Sequence, residues 1–455
     1  MRNEGPTPLE IARRAIQLAR AAGAEQCDAI VSMYTESNVT VRLDELEKLI
    51  EAGSMSLGLR VINGGRTAVC STSDLSPASL ERFAAETVEL AAISEPDEFA
   101  GLPEPSLFAT DVSAAGLALY DERLESLSTE QKIQMAKACE GAAFATDPRI
   151  NNSDGASLST RIGEVALANS LGFAGAYPAT TVSLVIEAIA DDAEGKKRNG
   201  YWYSAERSLH RLADPEEIGR IAARRTIDQL GARKVATCQV PVVFEPMMAV
   251  SLMGDLVGCA TGSALYRGAT FLAGRRGQVV GSPLVTITDD PSIPGCLGSR
   301  PFDGEGVATR RTALMEGGTF RGFLFDCYTA RRTGNDTTGS AQRGIESLPA
   351  PGPSNLVFDA GATPPEEVIR GVSTGLYLTT LMGSGFNPTT GDYSRGAGGF
   401  WIENGRIAYP VTEINISGRM DAMLAGIDAV GTDLAWFGSS AAPTIRIREM
   451  TVSGT

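Results

Sequence analysis

The chain has 455 residues, more than one ordinary hydrophobic core accommodates, and its 43% hydrophobic and 21% charged residues are typical of a folded globular protein. The formal net charge of −15 disfavours nucleic acid as a direct partner, because the phosphates would be repelled. A single histidine, His210, excludes most histidine-dependent chemistry. We therefore expect two or three domains and no direct binding of nucleic acid.

The cellular location is predicted from the start of the chain and from its cysteines. Residues 1–6 read MRNEGP and lack the apolar core of a signal peptide, and no run of about 18 apolar residues follows anywhere. The seven cysteines are scattered and include no Cys-x-x-Cys pair, which is typical of reduced, mostly buried thiols. These features predict a soluble cytoplasmic protein without a membrane contact.

Residues 1–110 predict an N-terminal α+β domain. A capping box formed by Thr7 and Glu10 begins a helix that ends at Gly23. A meander of strands follows, with a hairpin turn at Asn63-Gly64, and a helix over 76–93 closes the unit. The predicted strands are Asp28–Tyr34, Ser37–Leu43, Lys48–Ala52, Met55–Val61 and Arg66–Ser71.

Residues 111–232 predict a middle α+β segment, reached through a proline-rich connection at 94–113. A second capping box, Ser128 with Gln131, begins a helix that runs to about residue 145. Long strands are expected within 148–190, and Asp214 then caps a further helix.

Residues 233–455 predict a larger, β-rich C-terminal domain, which completes an α+β fold. A strand at Val240–Phe244 precedes a helix at Pro246–Val257, and Asn404-Gly405 indicates a hairpin turn. Glycines at 383–385 and 396–399 permit two interpretations. They allow either tight turns or the close approach of an extended peptide to a sheet edge.

Two long segments of this last region resemble a known family. Met382–Gly418 reads MGSGFNPTTGDYSRGAGGFWIENGRIAYPVTEINISG, and Arg300–Arg332 reads RPFDGEGVATRRTALMEGGTFRGFLFDCYTARR. Together with Thr338–Gly344 and the early hairpin Gly58–Gly65, they strongly resemble the TldD/PmbA family, once described as modulators of DNA gyrase. The likeness extends from about residue 25 to the end of the chain.

The resemblance implies a PmbA (TldE)-like chain. The TldD branch resembles zinc metallopeptidases with a His-Glu-x-x-x-His helix and a later cysteine ligand. The matching positions here are Gly254, Asp255 and Cys259, and the late loop Trp436–Ser440 contains serines without cysteine. Asp255 and Cys259 remain as two potential ligands, whereas a catalytic zinc needs three. The resemblance thus implies no cofactor in this chain and a zinc in a TldD-like metallopeptidase partner.

The resemblance also implies peptide-facing loops, in which we predict four substrate-binding residues: Arg343, Asn387, Asp392 and Arg395. Of these, Arg343 is the arginine favoured for gripping a peptide carboxylate. No catalytic residue is predicted. His210 is interpreted as a surface side chain, and Asp303 and Glu305 are interpreted as turn formers, although paired carboxylates also perform acid–base chemistry.

Three functions remain open from sequence. In the first, the chain is a non-metal subunit that shapes the chamber for unfolded or extended peptides, as a homodimer alone and a heterodimer with its partner. In the second, it is a zinc-independent hydrolase with Cys259 or Cys296 as nucleophile. In the third, it is a non-enzymatic binding or assembly protein.

Overall fold

The computed structural model describes residues 5–454 and confirms the predicted α+β fold with a β-rich C-terminal region. The opening residues 1–4, which entered the prediction about targeting, lie outside the described residues. Within the described range, no helix is both long and apolar enough to cross a bilayer. All seven cysteines are free; Cys70 and Cys238 are half-buried and the others are buried.

The N-terminal portion is one antiparallel sheet with four helices. Its elements are α1 Pro8–Ala21, β1 Gln26–Arg42, β2 Glu45–Asn63, β3 Arg66–Thr72, α2 Pro77–Ile93, α3 Thr129–Thr146, β4 Ile150–Asn169, β5 Ala174–Asp191, β6 Lys197–Glu206 and α4 Pro215–Ile227. The strands lie in the order β3-β2-β1-β4-β5-β6, so β1 of the predicted segment 1–110 pairs directly with β4 of the predicted segment 111–232.

The local signals at helix ends and hairpins are confirmed. Thr7 and Ser128 both form complete capping boxes, and Asp214 accepts a hydrogen bond from the backbone of α4. Asn404 and Gly405 turn with positive φ between two antiparallel strands. At the early hairpin Asn63 pairs with Arg66, so the two turning residues are the glycines 64 and 65.

The division of the meander into four short strands is wrong. The predicted strands 28–34 and 37–43 are one strand, β1, and 48–52 and 55–61 are both contained in β2. Glu36 and Gly53 lie in the gaps between the predicted strands, yet Glu36 pairs with Ala52 and Gly53 with Thr35 without a register shift at this point. Pairing on both sides of β1 keeps its backbone extended through the polar stretch.

The two faces of this sheet have different neighbours. Side chains alternate along a strand, so Cys27, Ala29 and Val31 point to the face that the helices cover. Ile30 points the other way, into a small core shared with Phe302 of the C-terminal domain. Asp28, in phase with Ile30, therefore faces that domain too.

The elements of the C-terminal domain are β7 Cys238–Phe244, α5 Pro246–Cys259, α6 Gly262–Tyr266, β8 Ile287–Asp289, β9 Thr312–Glu316, β10 Thr319–Phe320, α7 Cys327–Thr333, β11 Ala341–Gln342, β12 Ala350–Pro351, β13 Leu356–Phe358, α8 Pro365–Arg370, β14 Thr374–Met382, β15 Asp392–Glu403, β16 Arg406–Arg419, α9 Met420–Ala425, β17 Ile427–Val430, β18 Ala435–Phe437, β19 Ser440–Ala442 and β20 Ile445–Ser453. The strands form two six-stranded sheets, ordered β16-β15-β14-β7-β20-β17 and β10-β9-β8-β13-β19-β18, and a two-stranded sheet of β11 and β12. A further β16–β20 pairing closes five strands of the first sheet into a ring.

The glycines at 396–399 lie inside β15, which pairs with β14 on one side and β16 on the other. They form neither a turn nor a free edge for a peptide. A Cβ at Gly399 would lie 2.0 Å from the carbonyl oxygen of Tyr377, so glycine is required there by the close approach of β14.

Candidate functional site

One face of α5 carries three polar side chains. Ser251, Asp255 and Cys259 are spaced by four residues, which aligns them along one side of the helix. Pro246 occupies the first helical turn, and the opposite face, with Ala249, Met253 and Val257, packs into the main core of the domain. The amphipathic pattern therefore fixes the direction in which the polar face points.

Arg395 of β15 reaches this polar face. Its Nη1 donates to Ser251 Oγ at 2.9 Å and lies 3.6 Å from Asp255 Oδ2, with the two charged side chains 15% and 29% exposed. Burial raises the pKa of Asp255, and the charge of Arg395 opposes that shift. Tyr393, two residues before Arg395, is buried here with a hydroxyl that has no hydrogen-bond partner among residues 5–454.

Cys259 closes the other end of the face. Its Sγ lies 3.8 Å from the carbonyl oxygen of Pro388 in the β14–β15 loop. Burial, with a further contribution from the nearby charge of Asp255, raises the pKa of this thiol to about 12. Burial also raises the pKa of Cys296. Both side chains are therefore neutral thiols near pH 7, whereas a cysteine nucleophile must be a thiolate.

Two of the predicted substrate-binding residues shape the β14–β15 loop. The side-chain oxygen of Asn387 accepts from the backbone of Thr389 at 3.0 Å, and its backbone N–H donates to the carbonyl of Asp392 at 2.8 Å. The Asp392 carboxylate accepts from Thr390 Oγ1 at 2.6 Å. The structure thus brings Asn387, in the loop, and Asp392, at the start of β15, together beside the helix that Arg395 contacts.

The residues of this face do not fit a catalytic zinc. A Cβ at Gly254 would have open space around it, but glycine supplies no ligand. In the described part of the chain, no three His, Cys, Asp or Glu side chains are grouped so as to hold a metal ion. The β18–β19 hairpin packs against α5 and turns through Gly438 and Ser439, which offer no thiolate. Three protein ligands, the usual catalytic set, are not assembled.

Arg343 lies in a separate charge cluster, between β1 and the C-terminal domain. Its side chain is fully buried, and its Nη1 donates to Asp28 Oδ1 at 2.5 Å. Arg60 also pairs with Asp28, with Nε at 3.0 Å from Oδ2, and reaches Glu305 at 3.7 Å. The structure therefore does not place Arg343 with the other three predicted residues.

The electrostatics of this cluster are those of a desolvated site. Burial alone would raise the pKa of Asp28, but the charges of Arg343 and Arg60 hold it below its usual value. Burial raises the pKa of Glu305 to about 7, although Arg60 opposes the shift. Asp303 accepts three backbone N–H groups, including that of Glu305, so the predicted turn is present.

Sequence reasoning missed this cluster, although two signals were available. Asp28 interrupts the apolar run 27–31, and Arg60 interrupts the apolar run 57–62. A charge inside a buried strand needs a partner, and these two residues are direct cross-strand neighbours. His210, by contrast, is exposed as predicted, and its Nδ1 lies 2.8 Å from Arg123 Nη2.

Comparisons with known proteins give a consistent assignment. Family models described as PmbA/TldA metallopeptidase domain 1, central domain and C-terminal domain match residues 27–91, 122–230 and 237–454. The chain is 34% identical to metalloprotease PmbA of Escherichia coli O157:H7, over 98% of this chain and 96% of that one.

Solved structures agree over the same length. A protein of Bacteroides thetaiotaomicron described as a modulator of DNA gyrase matches with a TM-score of 0.91 and 28% identity, over 98% of each chain. TldE of Thermococcus kodakarensis matches with a TM-score of 0.87 over 98% of this chain and 100% of that one, and its 22% identity supports the fold alone.

Proposed function

This chain belongs to the TldD/PmbA family of metallopeptidases, and on that premise we propose that it is the PmbA-type subunit of a two-component peptidase. It has no catalytic zinc of its own. It holds unfolded or extended peptides in the cytoplasm while a TldD-like partner supplies the zinc that activates water for hydrolysis.

The observation that carries this proposal is the composition of the α5 face. Gly254 and Cys259 stand where the resemblance places two histidine ligands, and Arg395 approaches the carboxylate of Asp255. A guanidinium at this distance repels a divalent cation and occupies the carboxylate that would help to bind it. The helix is retained, but its polar face favours contact with an arginine over coordination of a metal.

The stand-alone hydrolase is disfavoured by the state of its candidate groups. Cys259 and Cys296 are neutral thiols, and the imidazole of His210 contacts the guanidinium of Arg123. A general base requires a nearby nucleophile and a group that orients the imidazole. The hypothesis of a non-enzymatic binding protein requires no chemistry from these residues. A measurement of peptide hydrolysis is therefore needed to separate it from the hypothesis of a non-metal peptidase subunit.

The decisive experiment compares this chain, a TldD-type subunit of the same organism and their mixture on an unfolded protein substrate such as reduced casein. We expect cleavage only by the mixture and complete loss with a chelator. Metal analysis should find zinc in the complex and less than a stoichiometric amount in this chain. Cleavage by this chain alone in chelator would instead establish the zinc-independent hydrolase, and no cleavage by either combination would favour the binding protein.

Assembly is the second part of the proposal. We expect a homodimer for the isolated chain and a heterodimer with the TldD-like subunit. Light scattering at micromolar concentration measures both directly. A strictly monomeric chain that also fails to associate with the TldD-type subunit would contradict a shared chamber.

A further inference from the structure

A cavity of about 310 Å³ lies where the N-terminal sheet meets the C-terminal domain. Its walls come from β1, β4 and β5 on one side and from segments 300–304 and 343–345 on the other. A wider groove of about 760 Å³ shares Ser32, Arg161, Gly344 and Ile345 with it. The cavity and the groove are therefore two parts of one cleft, separate from the α5 face.

The charged groups in the cavity wall are unbalanced. Arg161, Arg300 and Arg343 line it, against the carboxylate of Asp303 in the wall and that of Asp28, which pairs with Arg343 from outside the lining. The Asp303 oxygens already accept three backbone N–H groups, so this carboxylate is turned toward the protein. Arg161 stacks on Tyr34, with its guanidinium carbon 3.8 Å from the ring centre, and forms no salt bridge with a described residue.

Two of these arginines keep buried donors without acceptors. Arg343 is fully buried, and only its Nη1 is bound, to Asp28; Nε and Nη2 have no partner among residues 5–454. These two nitrogens form the edge of the guanidinium that grips a carboxylate through two parallel hydrogen bonds. Arg300 Nε is likewise buried and unpartnered within the described chain. These donors lie beneath the cavity wall, and their positive charge, with that of the exposed Arg161, favours an anionic ligand that reaches them.

The remainder of the cavity wall is apolar, formed by Ile30, Val165, Leu167, Tyr177, Phe302 and Ile345. A carboxylate attached to an apolar group matches both parts of the wall, and the volume is at the lower end for ligand pockets. The adjoining groove is lined by hydroxyls, including those of Ser56 and Ser73, and by Ser71, whose Oγ donates to the Glu346 carboxylate at 3.0 Å. Such groups hydrogen-bond peptide backbone without selecting side chains.

We propose that this cleft binds the carboxy-terminal end of a peptide. The terminal carboxylate meets Arg343 and Arg300, the apolar last side chain fills the cavity, and the preceding residues lie along the groove toward Ser71. The inference rests on the proposed function in one respect, that peptides are the ligands. In this proposal Arg343 recognises the end of a peptide chain, at a site separate from the loop that contains Asn387.

Isothermal titration of the intact purified chain, without a partner, tests the proposal. The probe is acetyl-Ala-Ala-Phe as the free acid, compared with the same tripeptide as its carboxy-terminal amide. We expect the acid to bind at least tenfold more tightly than the amide. Arg300→Gln should weaken binding of the acid at least tenfold and leave the amide unchanged, because only the carboxylate contact is lost. The matched control is Arg310→Gln, an exposed arginine outside the cavity wall.

Three outcomes would overturn the proposal: equal binding of acid and amide, no binding of either, or full acid affinity in Arg300→Gln. Acetyl-Phe alone binding as tightly as the tripeptide would reject the peptide and leave a small apolar carboxylate as the ligand. Arg161→Gln changes a more exposed side chain and is the alternative variant if Arg300→Gln does not fold. It should also weaken binding of the acid at least tenfold. This titration measures binding and no hydrolysis. A negative result would therefore not contradict the two-component peptidase, and a negative hydrolysis experiment would not contradict binding of the peptide end.

Discussion

Asp28 and Asp255 each face arginine side chains, but in different surroundings. Asp28 is fully buried between two guanidinium groups and keeps a lowered pKa. Asp255 is partly exposed, lies 3.6 Å from one guanidinium, and has a raised pKa. The Asp28 cluster joins the N-terminal sheet to the C-terminal domain. The Asp255–Arg395 pair lies within the C-terminal domain, at the face where the family resemblance places a metal.

The difference shows how one type of ion pair serves two purposes. At Asp28 the charges have been removed from water, so each depends on the others for its stability. At Asp255 the pair is longer and the carboxylate keeps some contact with water, although its Oδ2 is buried, so less of the fold depends on it. We therefore expect substitutions at the first site to change folding and substitutions at the second to change function.

The largest effect is expected for Asp28→Asn. Removing this charge leaves Arg60 and Arg343 buried without their main counter-charge, which should lower the free energy of unfolding by about 3–5 kcal/mol. Urea denaturation measures the change. Asp336→Asn, an exposed aspartate, is the matched control. A loss below about 1 kcal/mol, the range of surface pairs, would show that the two sites do not differ.

A smaller effect is expected from pH at Glu305. Its folded pKa of about 7 exceeds the ordinary 4.5, so between these values the folded state retains a proton that the unfolded chain has released. Stability then falls as pH rises through this window, by about 1.4 kcal/mol for each unit of raised pKa.

The Glu305→Gln variant stays neutral at every pH and should gain stability relative to the natural chain between pH 4.5 and 7. Denaturation of both chains at several pH values gives the difference in their free energies of unfolding. The contributions of other titrating groups, such as Asp289, cancel in this difference. Glu104→Gln, at an exposed position, should show no such trend. A difference independent of pH would mean that Glu305 is ionised throughout.

The α5 face should behave in the opposite way. Arg395→Gln removes a largely buried ion pair and one hydrogen bond to Ser251, so the free energy of unfolding should fall by about 1–2 kcal/mol, less than at Asp28. If Arg395 holds substrate, kcat/KM of the two-component complex should fall roughly five- to 150-fold, the equivalent of one buried hydrogen bond. Unchanged hydrolysis with a strongly destabilised fold would reverse the roles of the two sites.

The smallest effect is expected for Cys259→Ala. The thiol has a pKa of about 12 and lies against a backbone carbonyl, so its removal should leave the hydrolysis rate of the complex within about twofold. A thiol reagent at pH 7.5 should not modify Cys259 in the folded chain, as peptide mapping can determine. Loss of activity in this variant would support Cys259 as a nucleophile.

Sequence predicted the local features well because local residues determine them. Thr7, Ser128 and Asp214 cap their helices through bonds to residues three positions away, and Asn404-Gly405 turns within two residues. Continuous strands β1 and β2 were missed because their continuity depends on partners elsewhere in the chain. Leu43-Asp44 makes their hairpin with positive φ at both residues and without glycine, which few sequence rules anticipate.

The candidate sites, like the strands, could be predicted only where neighbouring residues in the sequence determine them. The polar face of α5 follows from four-residue spacing, so Asp255 and Cys259 could be placed together in advance. The approach of Arg395 depends on the packing of β15 against that helix. Arg343 and Asp28 are separated by 315 residues along the chain, and only the closure of one domain on the other brings them together.

The pairing of β1 with β4 also constrains synthesis of the chain. Asp28 lies opposite Asn169, and at ribosomal rates of about 5–20 residues per second the second strand emerges on the order of ten seconds after the first. During that interval one edge of β1 has no strand to pair with, and Asp28 and Arg60 remain without the arginine that completes their cluster. The nascent first 90 residues therefore carry an unpaired strand edge, which can pair with other chains until β4 emerges.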